Sequence, residues 1–186
     1  MVKGQIIPEM AARDFRLETK RLVLRLYSDA DLVALHALSS DPSMWTYSER
    51  GPMTVDEAWT RLLRNCGHWT LAGYGLFAIE NKITGRFVGE VGCSNFRRQL
   101  GEDFDQWPEI SWAIDPGSQG NGYASEAAQA ALEWIDSSWG MEQTVCLIHR
   151  ENRSSLRVAE KIGYVPLRTL DYRGYPAVLL NRRVHQ

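Results

Sequence analysis

Seven consecutive residues carry the strongest chemical signal in the chain: Gln119, Gly120, Asn121, Gly122, Tyr123, Ala124 and Ser125. They combine glycines, which let an anion approach the backbone, with the opening of a helix. The first turn of a helix has N–H groups without intrahelical partners and carries the positive end of the dipole. Such a stretch is a seat for a phosphate. The flanking pattern predicts how it is held. Ile110, Trp112 and Ile114 alternate with Ser111, Ala113 and Asp115, the period of a strand. Asp115-Pro116-Gly117 ends that strand, since Pro cannot donate to a sheet ladder. Ala124, Ala127, Ala128, Ala131 and Ile135 then recur at helical spacing, which predicts a helix opening near Gly120. The phosphate seat is a strand, a tight Gly-rich turn and a helix.

Two phosphate-binding patterns compete for it. Gly120 to Ser125 comes near the dinucleotide fingerprint G-x-G-x-x-G/A, with Ser in the third small position. That fingerprint belongs on the first strand of a doubly wound sheet, with an acidic residue ~20 positions on. Here it lies past the middle of the chain and only one further crossing follows. Gln119 to Ala124 fits Q/R-x-x-G-x-G/A better, a coenzyme A pyrophosphate loop.

Other reactive side chains are scattered. Glu109 opens the central strand, and His149, which titrates near neutrality, ends the next one. Glu90 is a third candidate for proton transfer. For each, a solvated or structural role competes. Cys66, Cys93 and Cys146 are an odd, scattered set with no C-x-x-C spacing, and nothing completes a metal site around Cys66 and His68. No metal is expected.

The 186 residues suit one domain, taken as residues 17–186 behind an N-terminal extension over 1–16. The net charge of −2 gives no general reason to expect nucleic acid as a partner. No apolar run approaches the ~18 residues that span a bilayer, and the first residues lack a signal peptide's apolar core. The protein is expected in the cytoplasm.

Around the central strand the pattern predicts a strand over 17–26, a helix from Ala30 to Ser39, and a second helix from Val55 to Cys66. The loop between these helices, Met44 to Met53, and a polar loop from Arg97 to Pro108 are expected to wall an acceptor pocket. Trp45 and Tyr47 are its candidate aromatics, with core packing the competing role. Glu49, Glu102, Asp103 and Asp105 would draw in a cationic amine unless they only face solvent. A hairpin joins Tyr74–Glu80 to Arg86–Phe96, where Gly89 and Gly92 mark a bend or a close backbone approach. A strand over Thr144–His149 precedes a helix that Asn152 caps and Gly163 ends. Strands at 164–172 and 177–181, turning at 173–176, complete the sheet and could pair with a second copy as a homodimer. The order is β-α-α-β-β-β-α-β-α-β-β, an α/β fold with a mixed central sheet and helices on both faces.

That order resembles the GNAT N-acetyltransferases from about Phe15 to Val184. Gln119 to Ala124 carries the match, together with Asn152-Arg153-Ser154-Ser155-Leu156-Arg157-Val158-Ala159-Glu160-Lys161-Ile162-Gly163-Tyr164. The opening L-E-T-K-R-L-V-L-R and the phrase V-A-E-K-I-G-Y are similar to the RimJ/RimL-like branch. The resemblance implies acetyl-CoA as co-substrate and a primary amine as acceptor, either a protein N-terminus or a small molecule. It implies that Trp112, Ala113 and Ile114 offer backbone groups to the pantetheine arm where their strand splays from a parallel neighbour. It implies that Gly120 to Ser125 hold the pyrophosphate, that Asn152 reaches the pantetheine, and that a backbone N–H near Trp112 stabilises the oxyanion.

Two family positions depart. The Tyr that usually protonates the leaving thiolate is Ala159, so Ser155, one turn earlier on the same face, is the expected donor; a capping role competes. The Glu that some members carry five residues before the Asn is Leu147, which leaves Glu109, then His149, as expected bases. An acyl-CoA-binding module without transfer is the rival function, and a dinucleotide-dependent oxidoreductase the next.

Overall fold

A computed structural model describes residues 15–48 and 50–184. In chain order its elements are β1 (Arg16–Glu18), β2 (Leu22–Arg25), α1 (Leu32–Ser40), α2 (Val55–Ala72), β3 (Leu76–Asn81), β4 (Phe87–Ser94), α3 (Glu102–Asp105), β5 (Glu109–Ile114), α4 (Tyr123–Trp139), β6 (Gln143–His149), α5 (Arg153–Lys161), β7 (Val165–Tyr172) and β8 (Tyr175–Arg183). The strands form one sheet in the order β1-β2-β3-β4-β5-β6-β8-β7. Every neighbouring pair is antiparallel except β5 and β6.

Alternation along β3 explains the layers. Phe77 and Ile79 point into the main core, which α4 closes with Ala127, Ala128, Ala131, Leu132 and Ile135. Leu76 and Ala78 point the other way, into a cluster with Leu35 of α1 and Leu62 of α2. Successive strand side chains face opposite sides, so one strand serves both layers. The mixed sheet with helices on both faces is the architecture expected from the sequence.

Several elements differ from expectation. The strand expected over 17–26 is two, β1 and β2, paired antiparallel. Thr19 makes the turn: Leu22 N–H donates to its Oγ1 at 2.9 Å, and Thr19 N–H donates to Leu22 O at 2.9 Å. Of the expected extension over 1–16, residues 1–14 lie outside the described residues. Phe15 packs on Trp69, Phe77 and Trp134, and Arg16 opens β1. Helix α2 runs on past Gly67 to Gly73 in the left-handed region, φ +75°. A mid-helix Gly costs ~1 kcal/mol. Trp69 offsets it, packing on Phe77 and Trp134 and donating to Leu76 O at 2.9 Å. The final turn is two residues, Arg173 and Gly174, both at positive φ, so β8 starts at Tyr175 rather than Ala177.

Gly89 and Gly92 do mark close approaches. An added Cβ would lie 2.1 Å from Ala113 O at Gly89 and 2.2 Å from Gly75 O at Gly92. Strand β4 is thereby pressed against β5, whose six residues all pair with it. On its other edge β5 is nearly bare. The one register pair with β6 is Glu109 with Val145, beside the bond from Val145 N–H to Pro108 O at 3.0 Å. Past that point the two parallel strands part.

Candidate active site

Where β5 and β6 part, a cavity of about 530 Å³ opens. Trp112, Ala113 and Ile114 line it from the strand, and Gln119, Gly120, Gly122, Tyr123, Ala124 and Ser125 from the turn. Gly120 and Gly122 have φ of +78° and +76°, which L-residues with a Cβ adopt at a cost. A Cβ at Gly120 would meet nothing within 4 Å, so backbone shape, not crowding by the protein, requires glycine there. Helix α4 begins at Tyr123, three residues later than expected. The first N–H with an intrahelical partner is that of Glu126, on Gly122 O at 3.2 Å. Those of Tyr123, Ala124 and Ser125 precede it, in the positions that helix geometry leaves free.

Asn121 is the one residue of the expected loop that is off the cavity wall. Its Nδ2 donates to Ser118 O at 3.0 Å and Gln119 O at 3.2 Å, bracing the turn. Gln119 is held too, with Nε2 on Ile114 O at 3.1 Å. From a hundred residues earlier in the chain, Arg21 donates Nη1 to Asn121 O at 2.8 Å and Nε to Glu126 Oε2 at 2.7 Å. Thr19 Oγ1 donates to Glu126 Oε1 at 2.6 Å. Burial pushes the Glu126 carboxyl up, but these bonds outweigh it and hold the group below the usual carboxylate range. The β1–β2 turn is thus lashed to the first turn of α4. Sequence reasoning missed this, and it missed Arg157 and Lys161, two exposed cations four apart on α5 that also line the cavity. Their helical spacing beside a phosphate turn was the available signal. Unpaired helix N–H groups, two cations and an open strand edge fit a phosphorylated ligand with an amide-bearing arm, as acetyl-CoA is.

A second cavity of about 310 Å³ adjoins the first. Met44, Tyr47, Trp112, Asn152 and Ser155 border both. Asn152 Oδ1 caps α5, accepting from Ser155 N–H at 3.0 Å and Ser154 Oγ at 2.8 Å. The Ser154 hydroxyl is thus spent on the capping side chain. The Ser155 hydroxyl is half-buried where the cavities meet. Ala159 is fully buried in the main core. Tyr164 is buried with its OH 2.5 Å from Thr144 Oγ1, away from both cavities.

Glu109 and His149 both line the second cavity. Arg98 grips the Glu109 carboxylate, Nε to Oε2 at 2.6 Å and Nη2 to Oε1 at 2.8 Å. Burial raises the Glu109 carboxyl and Arg98 opposes the rise. His149 Nδ1 accepts from Glu151 N–H at 3.0 Å, which places the proton of the neutral ring on Nε2. Both Glu109 oxygens and the His149 Nδ1 thus already accept a hydrogen bond. Glu90 is on neither wall; it is buried with Tyr27 OH at 2.6 Å and paired with Arg61. Of the candidate aromatics Tyr47 borders both cavities, whereas Trp45 Nε1 donates to Ser39 O at 2.7 Å and borders neither. The acidic loop does not face the acceptor side. Asp105 accepts from Gly101 N–H at 2.8 Å, Asp103 pairs with Arg168 at 2.9 Å, and Glu102 is off both walls. Glu49 lies outside the described residues. Arg98 and Tyr175 were missed because their place in the site depends on a loop and a turn folding back. The three cysteines are unpaired, and burial raises the Cys93 and Cys146 thiols.

A family model described as an acetyltransferase (GNAT) domain matches residues 21–165. The chain belongs to the GNAT acetyltransferases. An N-acetyltransferase of Bacillus subtilis, YnaD, is 31% identical over 79% of this chain and 81% of its own. A GnaT-family acetyltransferase structure from Bordetella pertussis is 35% identical, covers 90% of this chain and 99% of its own, and superposes with a TM-score of 0.81. RimL, a ribosomal L7/L12 α-N-protein acetyltransferase solved with coenzyme A, shares the fold at a TM-score of 0.74 and 16% identity, over 91% of this chain and 98% of its own. This GNAT enzyme is an N-acetyltransferase whose co-substrate is acetyl-CoA and whose acceptor is an amine. Among the described residues no helix is long and apolar enough to cross a membrane, and no group of His, Cys, Asp and Glu could hold a metal.

Proposed function

We propose that the enzyme transfers acetyl from acetyl-CoA to a primary amine by direct attack, with no acyl-enzyme. The observation that carries this is the continuity of the two cavities at Ser155. The larger would hold the donor, its diphosphate on the N–H groups of Gly120 and Gly122 to Ser125 and its arm along Trp112 to Ile114. Bound acetyl-CoA supplies an activated thioester. The amine nitrogen forms a bond to the acetyl carbon as the carbon–sulfur bond breaks; nitrogen gives one proton to solvent and sulfur takes one. Ser155 donates a hydrogen bond to the leaving sulfur in place of the absent tyrosine, and a β5 N–H near Trp112 supports the developing oxyanion.

The acceptor attacks from its own neutral fraction. An amine of pKa ~8 is partly neutral near pH 7 and a more basic one less so, and positioning beside the thioester supplies the rate. Glu109 holds Arg98 in place rather than removing the proton. His149, with Nδ1 engaged, acts as a donor through Nε2. The RimJ/RimL-like branch and a cytoplasmic setting belong to this reading; three unpaired cysteines support the latter. A homodimer would form on β7, the last strand of the sheet, where Val165 is 59% exposed. Sedimentation showing monomer alone at high concentration would remove it.

Thiol release from acetyl-CoA, measured over amines and N-terminal peptides, tests the central reading. Ser155→Ala is expected to lower kcat by about 10²-fold with CoA affinity within about twofold. Equal kcat in the variant removes Ser155 from the mechanism; CoA binding without transfer to any amine removes the transferase.

A further inference from the structure

The acceptor cavity is walled by hydrogen-bond donors. Glu109 is the only carboxylate on its wall among the described residues, and both of its oxygens are taken by Arg98. The exposed half of that pair is the cation: the Arg98 side chain is 23% accessible and that of Glu109 5%. A guanidinium has five N–H donors. Two go to Glu109 and one to Tyr172 OH at 3.1 Å, so two are left. His149 adds Nε2–H, on a ring stacked against Tyr175 at 5.5 Å and beside Tyr47 at 5.2 Å.

Further guanidiniums lie near Arg98, none of them on the cavity wall. Burial lowers the pKa of Arg64 from its usual value, and Arg61, Arg50 and Arg98 add to this against an opposing pull from Glu90. Glu90 compensates Arg61 and Glu109 compensates Arg98. Arg50 and Arg64 form no ion pair among the described residues. Of the loop acids, Asp103 is tied to Arg168 and Asp105 to backbone N–H groups. A cluster of like charges in one region favours a ligand that brings the opposite charge.

We propose that the acceptor is a small amine carrying an oxyanion close to its amino group, a carboxylate or a phosphonate in its place. The oxyanion meets Arg98 and the His149 ring, and the amine turns toward Trp112 and Ser155 at the mouth shared with the donor cavity. The N–H groups that Arg98 has left, one on Nη1 and one on Nη2, can each donate to an oxyanion. The 310 Å³ of the cavity suits an amino-acid-sized molecule rather than a folded protein terminus. This rests on the acetyl transfer proposed above.

The test compares the standard amino acids with their amides, their decarboxylated amines and the matching 1-aminoalkylphosphonates, by thiol release from acetyl-CoA. At least one acid or phosphonate is expected to exceed its own amide in kcat/KM by about tenfold or more. The comparison is stringent, because the amide's amine is less basic and so more neutral at the same pH. In the double variant Arg98→Gln, Glu109→Gln, which keeps the pairing but removes both charges, the acid-to-amide ratio should fall to within about twofold, whatever the absolute rate. CoA binding and a thermal melt report whether that variant is folded. Should it not fold, the wild-type enzyme answers through salt: from about 0.05 M to about 0.5 M, KM should rise for the acid and stay constant for the amide. Amides or plain amines used as well as every acid, a ratio unchanged in the folded variant, or a salt-independent KM would each overturn the proposal and leave the transferase standing. Absence of thiol release with any amine would overturn both.

Discussion

Asn152 caps α5 and borders both cavities, so its part in the fold can be tested apart from its part in the proposed reaction. Asn152 spends its Oδ1 on the helix cap and leaves Nδ2 for the cavities that it borders. The two roles can be separated. Asn152→Asp retains the acceptor oxygen and suits a helix N-terminus, so it should keep the melting temperature while raising KM for acetyl-CoA several-fold. Asn152→Ala loses both and should also cost ~1 kcal/mol of stability. Equal KM in the Asp variant would confine Asn152 to capping. Proton removal belongs to the same level. If the acceptor's neutral fraction attacks, the pH profile of kcat/KM follows the acceptor: its rising limb should move upward from an amine of pKa ~8 to one of pKa ~10. Glu109→Gln should leave that limb in place. A limb fixed across acceptors and lost in the variant would make Glu109 the base.

At the level of elements, glycine acts in two different ways. At Gly89 the partner backbone leaves no room, since a Cβ would sit 2.1 Å from Ala113 O. Gly89→Ala must push β4 from β5 and should cost ~3 kcal/mol or more, read as a fall in melting temperature. At Gly120 space is open and only the left-handed backbone resists. Gly120→Ala should cost ~1 kcal/mol in stability yet weaken CoA binding about tenfold, because the turn relaxes and its N–H groups turn away. The same turn is held from outside by Arg21 and Thr19 through Glu126. That lash fixes the entry of α4 relative to the sheet, so the Gly-rich turn depends on a hairpin about a hundred residues earlier.

The molecule as a whole should be acid-labile through particular pairs. Burial opposes ionisation of Asp31, but bonds from Arg25 and Ser28 outweigh it and its carboxyl is lowered; Glu126 is lowered by Thr19 and Arg21. A carboxylate lowered by folding contributes stability above its unfolded value, ~4, which is lost as pH falls through the folded value. Glu109 has the opposite sign: a raised carboxyl makes protonation easier in the folded state. With two groups against one, urea midpoints should fall as pH drops below ~4. Glu126→Gln should remove part of that slope; a midpoint flat with pH would show that these pairs do not hold the fold.

Much of this was legible in the linear pattern. The alternation over 109–114, the Pro-Gly stop, the Ala-rich helix and the capping Asn152 each depend on neighbours a few residues away, and local spacing encodes such relations directly. The GNAT fold followed. Pairings between distant elements had no local signature. That β5 loses β6 after a single register pair depends on how two strands some thirty residues apart diverge, and no period in either reveals it. That Arg98 covers Glu109, that Glu126 ties down Arg21, and that the acids of the loop turn from the cavity follow from which surfaces meet once the sheet has closed. Amino-acid order specified the faces and the turns. Long-range packing placed charge beside charge, and so determined that a cation, Arg98, is the more exposed half of the pair on the second cavity.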